Sequence, residues 1–126
     1  MPHKILYVED NQDNMALVKR ALEARGYNFL WAQNGSIGIE MAEQHQPDVI
    51  LLDINLPDID GYEVAKRLRK SGKHSLVYVP IIAITANALR GDAEKALAAG
   101  CDVYMAKPIN IRELWARVEG FLSSAN

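Results

Sequence analysis

The chain has 126 residues, with 14 Lys and Arg against 16 Asp and Glu, for a formal net charge of −2. This length allows one domain of ordinary size and leaves little room for a second. The near-neutral balance argues against a nucleic-acid partner, because the densest basic run, residues 66–70, alternates as the solvated face of a helix would. The single Cys101 excludes an intramolecular disulfide, and no apolar run reaches the roughly 20 residues of a membrane span. We therefore expect a cytoplasmic protein.

The first half of the chain alternates short apolar runs with segments of helical periodicity. Residues 5–8 and 29–32 predict two short strands, and residues 48–53 predict a third. The apolar middle of this third strand has no polar face, so we expect it to lie at the centre of a sheet. Apolar residues at helical spacing mark the helices between these strands: Met15, Val18 and Leu22 in the first, Ile37 and Met41 in the second.

The third helix and the fourth strand are indicated by their boundary residues. Asp60 and Glu63 have the spacing of a capping box, which predicts that a helix begins there. Residues 71–75 are predicted to form a loop, and the residues that follow up to Val79 fit no single element. Because Pro80 can stand only at the start of a strand, the fourth strand is predicted for residues 81–84.

Three further elements complete the chain. A fourth helix is predicted at about residues 88–99, and its low apolar content predicts weak packing. We expect it to bury one continuous row of side chains: Leu89, Ala93 and Leu97. Residues 102–106 predict a fifth strand. The last helix begins at Asn110, which forms a second capping pair with Glu113, and residues 123–126 are predicted to be a frayed tail.

Five strand–helix pairs in alternation predict a single α/β domain built on a parallel sheet. We expect this domain to occupy residues 1–126, with its core at about residues 4–122 and no output domain. In open parallel sheets, ligands bind outside the carboxyl ends of the strands. Four of the five predicted ends carry polar groups that suit one another: Glu9 and Asp10, Asp53, Thr85, and Lys107.

These polar strand ends favour a metal-assisted phosphoryl site. Three carboxylates on neighbouring strand ends repel one another unless a cation lies between them, and oxygen ligands of this kind suit Mg²⁺. No histidine or second cysteine accompanies them, which disfavours Zn²⁺. Asp53 would have a metal on one side and Lys107 on the other, and a carboxylate so placed can act as a nucleophile toward phosphorus. Thr85 could donate a hydrogen bond to a phosphoryl oxygen.

The same residues resemble the receiver domain of two-component response regulators. Five motifs carry the resemblance: Val8-Glu9-Asp10-Asn11, Asp53-Ile54-Asn55-Leu56-Pro57 with Asp60-Gly61, Ile84-Thr85-Ala86-Asn87-Ala88, Ala99-Gly100-Cys101-Asp102, and Lys107-Pro108-Ile109. They are most similar to those of stand-alone single-domain receivers and of the receivers of hybrid histidine kinases. Leu56, where many members have Met, is a departure that we expect to be neutral.

The resemblance implies a fold and a role for each matched residue. The fold is a doubly wound, five-stranded parallel sheet of order 2-1-3-4-5, the flavodoxin-like arrangement, with a cis Lys107–Pro108 bond. Asp53 would accept a phosphoryl group from a phosphohistidine on a histidine kinase or histidine phosphotransfer protein. The implied Mg²⁺ ligands are Asp10, Asp53 and the Asn55 backbone carbonyl, with Glu9 acting through water. Lys107 and Thr85 would contact the phosphoryl group.

The resemblance also implies how the signal leaves the domain. The implied switch residues are Ala86, Asn87, Tyr104 and Pro108, with Tyr104 turning inward on phosphorylation. The output surface would combine the fourth predicted helix, the fifth strand and the last helix, and would bind a downstream protein. We expect a phosphoacceptor that assists its own phosphorylation and dephosphorylation rather than a turnover enzyme. We further expect a monomer or weak dimer with no nucleic-acid or membrane partner.

Three alternatives remain open from the sequence. A flavin-binding flavodoxin-like protein shares the fold but needs a phosphate loop rich in Ser, Thr and Gly, where residues 9–13 here read Glu-Asp-Asn-Gln-Asp. A Mg²⁺-dependent phosphatase or nuclease commonly has a second carboxylate two residues after the first, and position 55 is Asn. A receiver that signals by binding alone would leave the acceptor chemistry unused, although all of it is present.

Overall fold

The structure is a computed structural model that describes residues 2–86 and 91–124. Within these ranges strands and helices alternate, except that two helices, α3 and α4, separate β3 from β4. The elements are β1 (Lys4–Val8), α1 (Gln12–Glu23), β2 (Asn28–Ala32), α2 (Gly35–His45), β3 (Val49–Asp53), α3 (Gly61–Arg69), α4 (His74–Tyr78), β4 (Ile81–Thr85), α5 (Asp92–Ala99), β5 (Val103–Ala106) and α6 (Ile111–Ser124). No helix in this part of the chain combines the length and the apolar character that crossing a bilayer requires.

The strands form one parallel sheet in the order β2-β1-β3-β4-β5, which confirms the predicted 2-1-3-4-5 topology. β3 lies in the middle and all its residues are buried, as its uninterrupted apolar run predicted. Because side chains alternate along a strand, the sheet has a core on each face. Leu6 and Val8 join the core beneath α2, α3 and α5, whereas Ile5 and Tyr7 join the core beneath α1 and α6.

Side-chain caps begin four of the described helices. In each, the oxygen of an N-cap side chain accepts a hydrogen bond from a backbone N–H three residues further on. The pairs are Asn11 and Asn14, Asn34 and Ile37, Asp60 and Glu63, and Asn110 and Glu113, at 2.8–3.0 Å. The two capping pairs predicted from the sequence therefore form.

The predicted loop at residues 71–75 is wrong in its second half, because α4 begins at His74. Five residues are too few to show helical periodicity, and the N-cap residue Lys73 makes no side-chain cap. Leu76 is fully buried, and the Arg69 guanidinium donates to its carbonyl oxygen at 3.0 Å. The short helix therefore depends on contacts from outside itself.

The buried face of α5 also differs from the prediction. Ala96 and Ala99 are buried, whereas Leu97, which was expected to face inward, is 53% exposed. Ala93 is half-buried, and Leu89 lies outside the described residues. A helix rich in alanine has little contrast between its faces, so its apolar pattern does not determine which side packs on the sheet.

Two smaller expectations are corrected as well. Ile37 is 40% exposed, and the buried face of α2 presents Gly38 and Ala42 instead, because small residues allow this helix to approach the sheet closely. Residues 123 and 124 continue α6 rather than forming a tail, since Leu122 anchors the last turn in the core. Residues 125–126 lie outside the described part of the chain.

Candidate functional site

The predicted site residues lie at the carboxyl edge of the sheet. β3 pairs with β1 on one side and with β4 on the other, so Asp53 at its end lies between Glu9, which follows β1, and Thr85, which ends β4. Lys107 directly follows β5, the next strand along the edge. The topology therefore brings together residues that are far apart in the sequence.

Gly61 allows α3 to begin directly against the end of β3. A Cβ atom at this position would lie 2.6 Å from the Asp53 carbonyl oxygen, closer than real Cβ atoms approach. The Gly61 N–H donates to the Ile54 carbonyl oxygen at 2.9 Å, which folds the loop back onto the strand end. The Asp60-Gly61 pair thus has a structural reason: Asp60 caps α3, and Gly61 permits its close approach.

Three carboxylates meet at this edge of the sheet. Glu9, Asp10 and Asp53 each present an oxygen, and these oxygens lie within 4.8 Å of one another. Glu9 and Asp53 are 0% and 1% exposed, whereas Asp10 faces solvent. Mg²⁺ binds carboxylate oxygens and keeps several waters, which the exposed side of the cluster can accommodate. The donor set therefore fits a small divalent cation.

Lys107 places a positive charge among these carboxylates. Its Nζ lies 3.0 Å from Asp53 Oδ2 and 3.3 Å from Glu9 Oε1. Burial by itself would lower the pKa of Lys107, but its hydrogen bond to Asp53 and the charges of both carboxylates raise it. The ammonium group thus stays charged and is shared by two buried acids.

The pKa values of the two buried carboxyl groups, Glu9 and Asp53, are shifted in opposite directions. Burial raises the pKa of Asp53 to about 6, and hydrogen bonding to Glu9 adds to that rise. Burial opposes the charge on Glu9 too, but its hydrogen bonds, first with Asp53 and then with Tyr7, lower the pKa of Glu9 to about 2. In the metal-free protein Asp53 is therefore the carboxyl that takes up a proton as the pH falls.

The remaining predicted site residues lie around Asp53. Asn55 is exposed, and its backbone N–H donates to Asp53 Oδ1 at 3.0 Å. Thr85 is buried at the end of β4, and Ala86 after it is exposed. Asn87, predicted as a switch residue, lies outside the described residues.

Two of the predicted switch residues lie on β5 and directly after Lys107. Tyr104 is half-buried on β5 and packs against the core beneath α3 and α5. Pro108 is exposed, and the Lys107–Pro108 peptide bond is cis, as the resemblance implied. On the last helix, Trp115 ties α6 to α1, because its Nε1–H donates to the Ala21 carbonyl oxygen at 2.8 Å.

Sequence reasoning missed three residues around Glu9. The Tyr7 hydroxyl donates to Glu9 Oε1 at 2.8 Å, and Asn14 Nδ2 donates to the same oxygen at 3.2 Å. The Trp31 indole N–H donates to the Glu9 carbonyl oxygen at 2.7 Å. Strand alternation could have indicated Tyr7, which lies two residues before Glu9, whereas the Trp31 contact depends on the pairing of β2 with β1.

Comparison with known proteins places this geometry in a family. Residues 5–119 match the family described as the response regulator receiver domain. The chain belongs to the receiver domain family. This membership decides against the flavin-binding alternative and against the phosphatase or nuclease alternative. Receiver domains are switches of two-component signalling rather than turnover enzymes, and the acidic cluster of this one is compatible with Mg²⁺.

Individual receivers resemble the chain over nearly its whole length. The polar-differentiation response regulator DivK of Brucella anthropi is 38% identical over 125 residues, which cover 99% of this chain and 100% of that protein. The receiver domain of the sensor histidine kinase PA1611 from Pseudomonas aeruginosa PAO1, solved with a magnesium ion in its active site cleft, is 36% identical. It has a TM-score of 0.89 and a coverage of 98% of this chain and 99% of that chain.

A third receiver was solved together with a partner. The receiver domain of Ssk1 from Saccharomyces cerevisiae, in complex with the histidine phosphotransfer protein Ypd1, is 30% identical to this chain and has a TM-score of 0.87. The match covers 95% of this chain and 88% of that chain.

Proposed function

We propose that this receiver domain accepts a phosphoryl group on Asp53 and thereby switches a protein-binding surface. The setting of the Asp53 carboxylate carries the proposal: it is 1% exposed, lies 3.0 Å from Lys107 Nζ, and belongs to the acidic cluster. A carboxylate nucleophile, a nearby lysine ammonium group and ligands for a second cation are the parts that phosphoryl transfer needs.

The transfer forms one bond and breaks one. A carboxylate oxygen of Asp53 attacks the phosphorus of a phosphohistidine, and an O–P bond forms as the P–N bond breaks. The electron pair of the broken bond stays on the imidazole nitrogen, which takes up a proton from solvent. Lys107 pairs with a phosphoryl oxygen as negative charge moves onto the acceptor, and Thr85 donates its hydroxyl to another.

The proposal includes a Mg²⁺ ion bound by this chain's own oxygens. Asp10, Asp53 and the Asn55 backbone carbonyl would hold it, with Glu9 acting through water, and the ion would supply positive charge to the transferred group. The fit of the donor set supports this, since two buried carboxylates share the single charge of Lys107. The magnesium ion in the PA1611 receiver supports it independently.

We propose a phosphohistidine on a histidine kinase or histidine phosphotransfer protein as the donor. The Ssk1 receiver, which is similar to this chain over most of its length, was solved with such a phosphotransfer protein. On this proposal the domain assists its own phosphorylation and dephosphorylation, because Asp53, Lys107 and the metal ligands all belong to it.

The output follows from the charge that the phosphoryl group brings, roughly −1.5 to −2. New contacts from Lys107 and Thr85 would bias the neighbouring elements α5 and β5, with Tyr104, Ala86, Asn87 and Pro108 as switch residues. α5 suits such a role because its buried face consists of alanines, which bury little apolar surface. We infer that a downstream protein binds the surface of α5, β5 and α6.

The decisive experiment is intact mass spectrometry after incubation with Mg²⁺ and acetyl phosphate. The wild-type protein should gain the mass of one phosphoryl group, and the gain should disappear with EDTA and in Asp53→Asn. Asp48→Asn is the matched control, because Asp48 accepts a hydrogen bond from the Lys4 backbone N–H, at the amino end of β1. This variant should be phosphorylated like the wild type.

Two results would contradict the acceptor role. An unchanged mass with acetyl phosphate and with a phosphorylated histidine phosphotransfer protein would favour a receiver that signals by binding alone. A gain that persists in Asp53→Asn would assign the phosphoryl group to another residue.

A further inference from the structure

The two oxygens of the Glu9 carboxylate are occupied very differently. Oε1 accepts from the Tyr7 hydroxyl at 2.8 Å, from Asn14 Nδ2 at 3.2 Å, and lies 3.3 Å from Lys107 Nζ. Oε2 accepts from the Asn11 backbone N–H at 3.2 Å. Because a carboxylate oxygen has two lone pairs, the two hydrogen bonds from Tyr7 and Asn14 leave Oε1 no capacity for another partner. When Asp53 is ionised and no proton joins the two carboxyl groups, Oε2 is the oxygen that retains a lone pair among the described residues.

Tyr7 is the most rigid of the donors to Oε1. It is 0% exposed and lies on β1, which pairs with β2 on one side and with β3 on the other. Its ring belongs to the core beneath α1 and α6, which also contains Val18 and Leu114. Its hydroxyl therefore cannot move away from the carboxylate, whereas the long Lys107 side chain can turn toward another acceptor.

We propose that Tyr7, assisted by Asn14, is a positioning residue for the metal site, because it holds Glu9 Oε1 and leaves Oε2 to a divalent cation or to a water bound by it. The inference rests on the proposed function, since it assigns a task to the Glu9 carboxylate that the proposed Mg²⁺ site uses. Partners of this kind orient metal ligands, and their loss typically weakens metal binding by 10–100-fold.

Removing the hydroxyl should release the carboxylate without emptying the core. In Tyr7→Phe the ring remains, and Glu9 Oε1 keeps only Asn14 and Lys107. Both can follow the carboxylate when it rotates, because Asn14 is only half-buried and Lys107 has a flexible stem. The carboxylate then samples orientations that do not serve a cation, so Mg²⁺ should bind less tightly.

The test is a Mg²⁺ titration followed by the indole N–H resonance of Trp31. This N–H donates to the Glu9 carbonyl oxygen, and the chain has 2 tryptophans, so the signal is assigned by comparison with Trp115→Phe. Tyr7→Phe should raise the dissociation constant for Mg²⁺ roughly tenfold. Tyr27→Phe is the matched control, because it removes a hydroxyl from a half-buried tyrosine just before β2 and should bind Mg²⁺ like the wild type.

A double-mutant cycle separates positioning from a general structural effect. If Tyr7 acts through the Glu9 carboxylate, Tyr7→Phe should have no further effect on Mg²⁺ binding in a Glu9→Gln background. If the two substitutions weaken Mg²⁺ binding independently, so that their fold-changes multiply in the double variant, the proposal is overturned. If Tyr7→Phe fails to fold, Asn14→Ala tests the same oxygen without touching the core. It should weaken Mg²⁺ binding roughly threefold.

The titration distinguishes failure of this inference from failure of the proposed function. If the wild type binds Mg²⁺ and both Tyr7→Phe and Asn14→Ala bind it equally well, only the positioning role is overturned. If the wild type binds no Mg²⁺, the metal site of the proposed function is wrong, and this inference falls with it.

Discussion

Lys107 and Arg69 are two largely buried cations at opposite ends of the same strands, and they meet different acceptors. Lys107, with 21% of its side chain exposed, follows β5 and contacts two carboxylates. Arg69, with 18% exposed, lies at the amino ends of β4 and β5 and bonds chiefly to backbone carbonyls. The Arg69 acceptors are the carbonyl oxygens of Leu76, Val77, Val79 and Gly100, and Asp102 Oδ2.

The difference shows which end of the sheet can change. Carboxylates can lose charge to a proton, share it with a metal or become esters of phosphate, so the surroundings of Lys107 vary with pH and ligand. Backbone carbonyls can do none of these things, and the planar guanidinium of Arg69 holds several of them at fixed angles. One end of β4 and β5 is therefore built to change its charge, and the other is built to stay as it is.

The largest effect on stability should come from removing the Arg69 guanidinium at the amino ends of β4 and β5. Arg69→Met should lower the free energy of unfolding by about 3 kcal/mol. The partly buried carbonyl oxygens lose a charged donor, and the methionine side chain has no hydrogen-bond donor to replace it. Urea unfolding measures this loss. Arg67→Met on the same helix is the control, since Arg67 is 54% exposed and pairs with Glu63 one helical turn away, and it should cost about 0.5 kcal/mol. Equal losses in the two variants would show that Arg69 is an ordinary surface arginine.

A smaller effect should follow from crowding Arg69 through its neighbour. Gly100 has a φ of 112°, and a Cβ there would lie 2.8 Å from Arg69 Cγ. Gly100→Ala should therefore lower the free energy of unfolding by about 2 kcal/mol, part of it from the left-handed backbone. Gly26→Ala measures the cost of the left-handed backbone alone, because Gly26 has a φ of 82° and a Cβ there would meet nothing within 4 Å. It should lower the free energy of unfolding by about 1 kcal/mol. Indistinguishable unfolding midpoints would refute the contact with Arg69.

The smallest effect is the pH dependence of stability that Asp53 produces at the carboxyl end of the sheet. Burial, with Glu9 as a second cause, raises the pKa of Asp53 from its ordinary 3.8 to about 6. The folded state therefore binds this proton more tightly than the unfolded state, and its contribution to stability is lost as the pH rises through about 6. The metal-free protein should lose about 1 kcal/mol between about pH 5 and about pH 7, since the Glu9 carboxyl stays ionised throughout.

Thermal or urea unfolding at each pH, in EDTA, measures that slope. Saturating Mg²⁺ should flatten it, because a cation beside Asp53 lowers the pKa of its carboxyl again. Asp53→Asn should lack this component of the slope with or without metal. A slope that survives unchanged in Asp53→Asn would assign the titration to another group.

Much of the fold could be predicted because its signals are local. The apolar run of β3 has no polar face, and the caps at Asp60 and Asn110 lie three residues from their donors, so neither depends on distant contacts. α4 could not be predicted in this way, because Arg69 and the core stabilise a helix too short to show periodicity. The buried alanines of α5 escaped prediction because alanine makes both faces look alike.

The sequence by itself determined the alternation of strands and helices, apart from α4, and the polar residues at four of the five strand ends, since both depend on neighbouring residues. Only the tertiary structure decided how these end groups share their contacts. Glu9 Oε1 is held by groups from β1, α1 and the segment after β5, and these segments meet only when the parallel sheet is assembled. Distances between distant segments, and the burial that raises the pKa of Asp53, arise from packing, which no local pattern specifies.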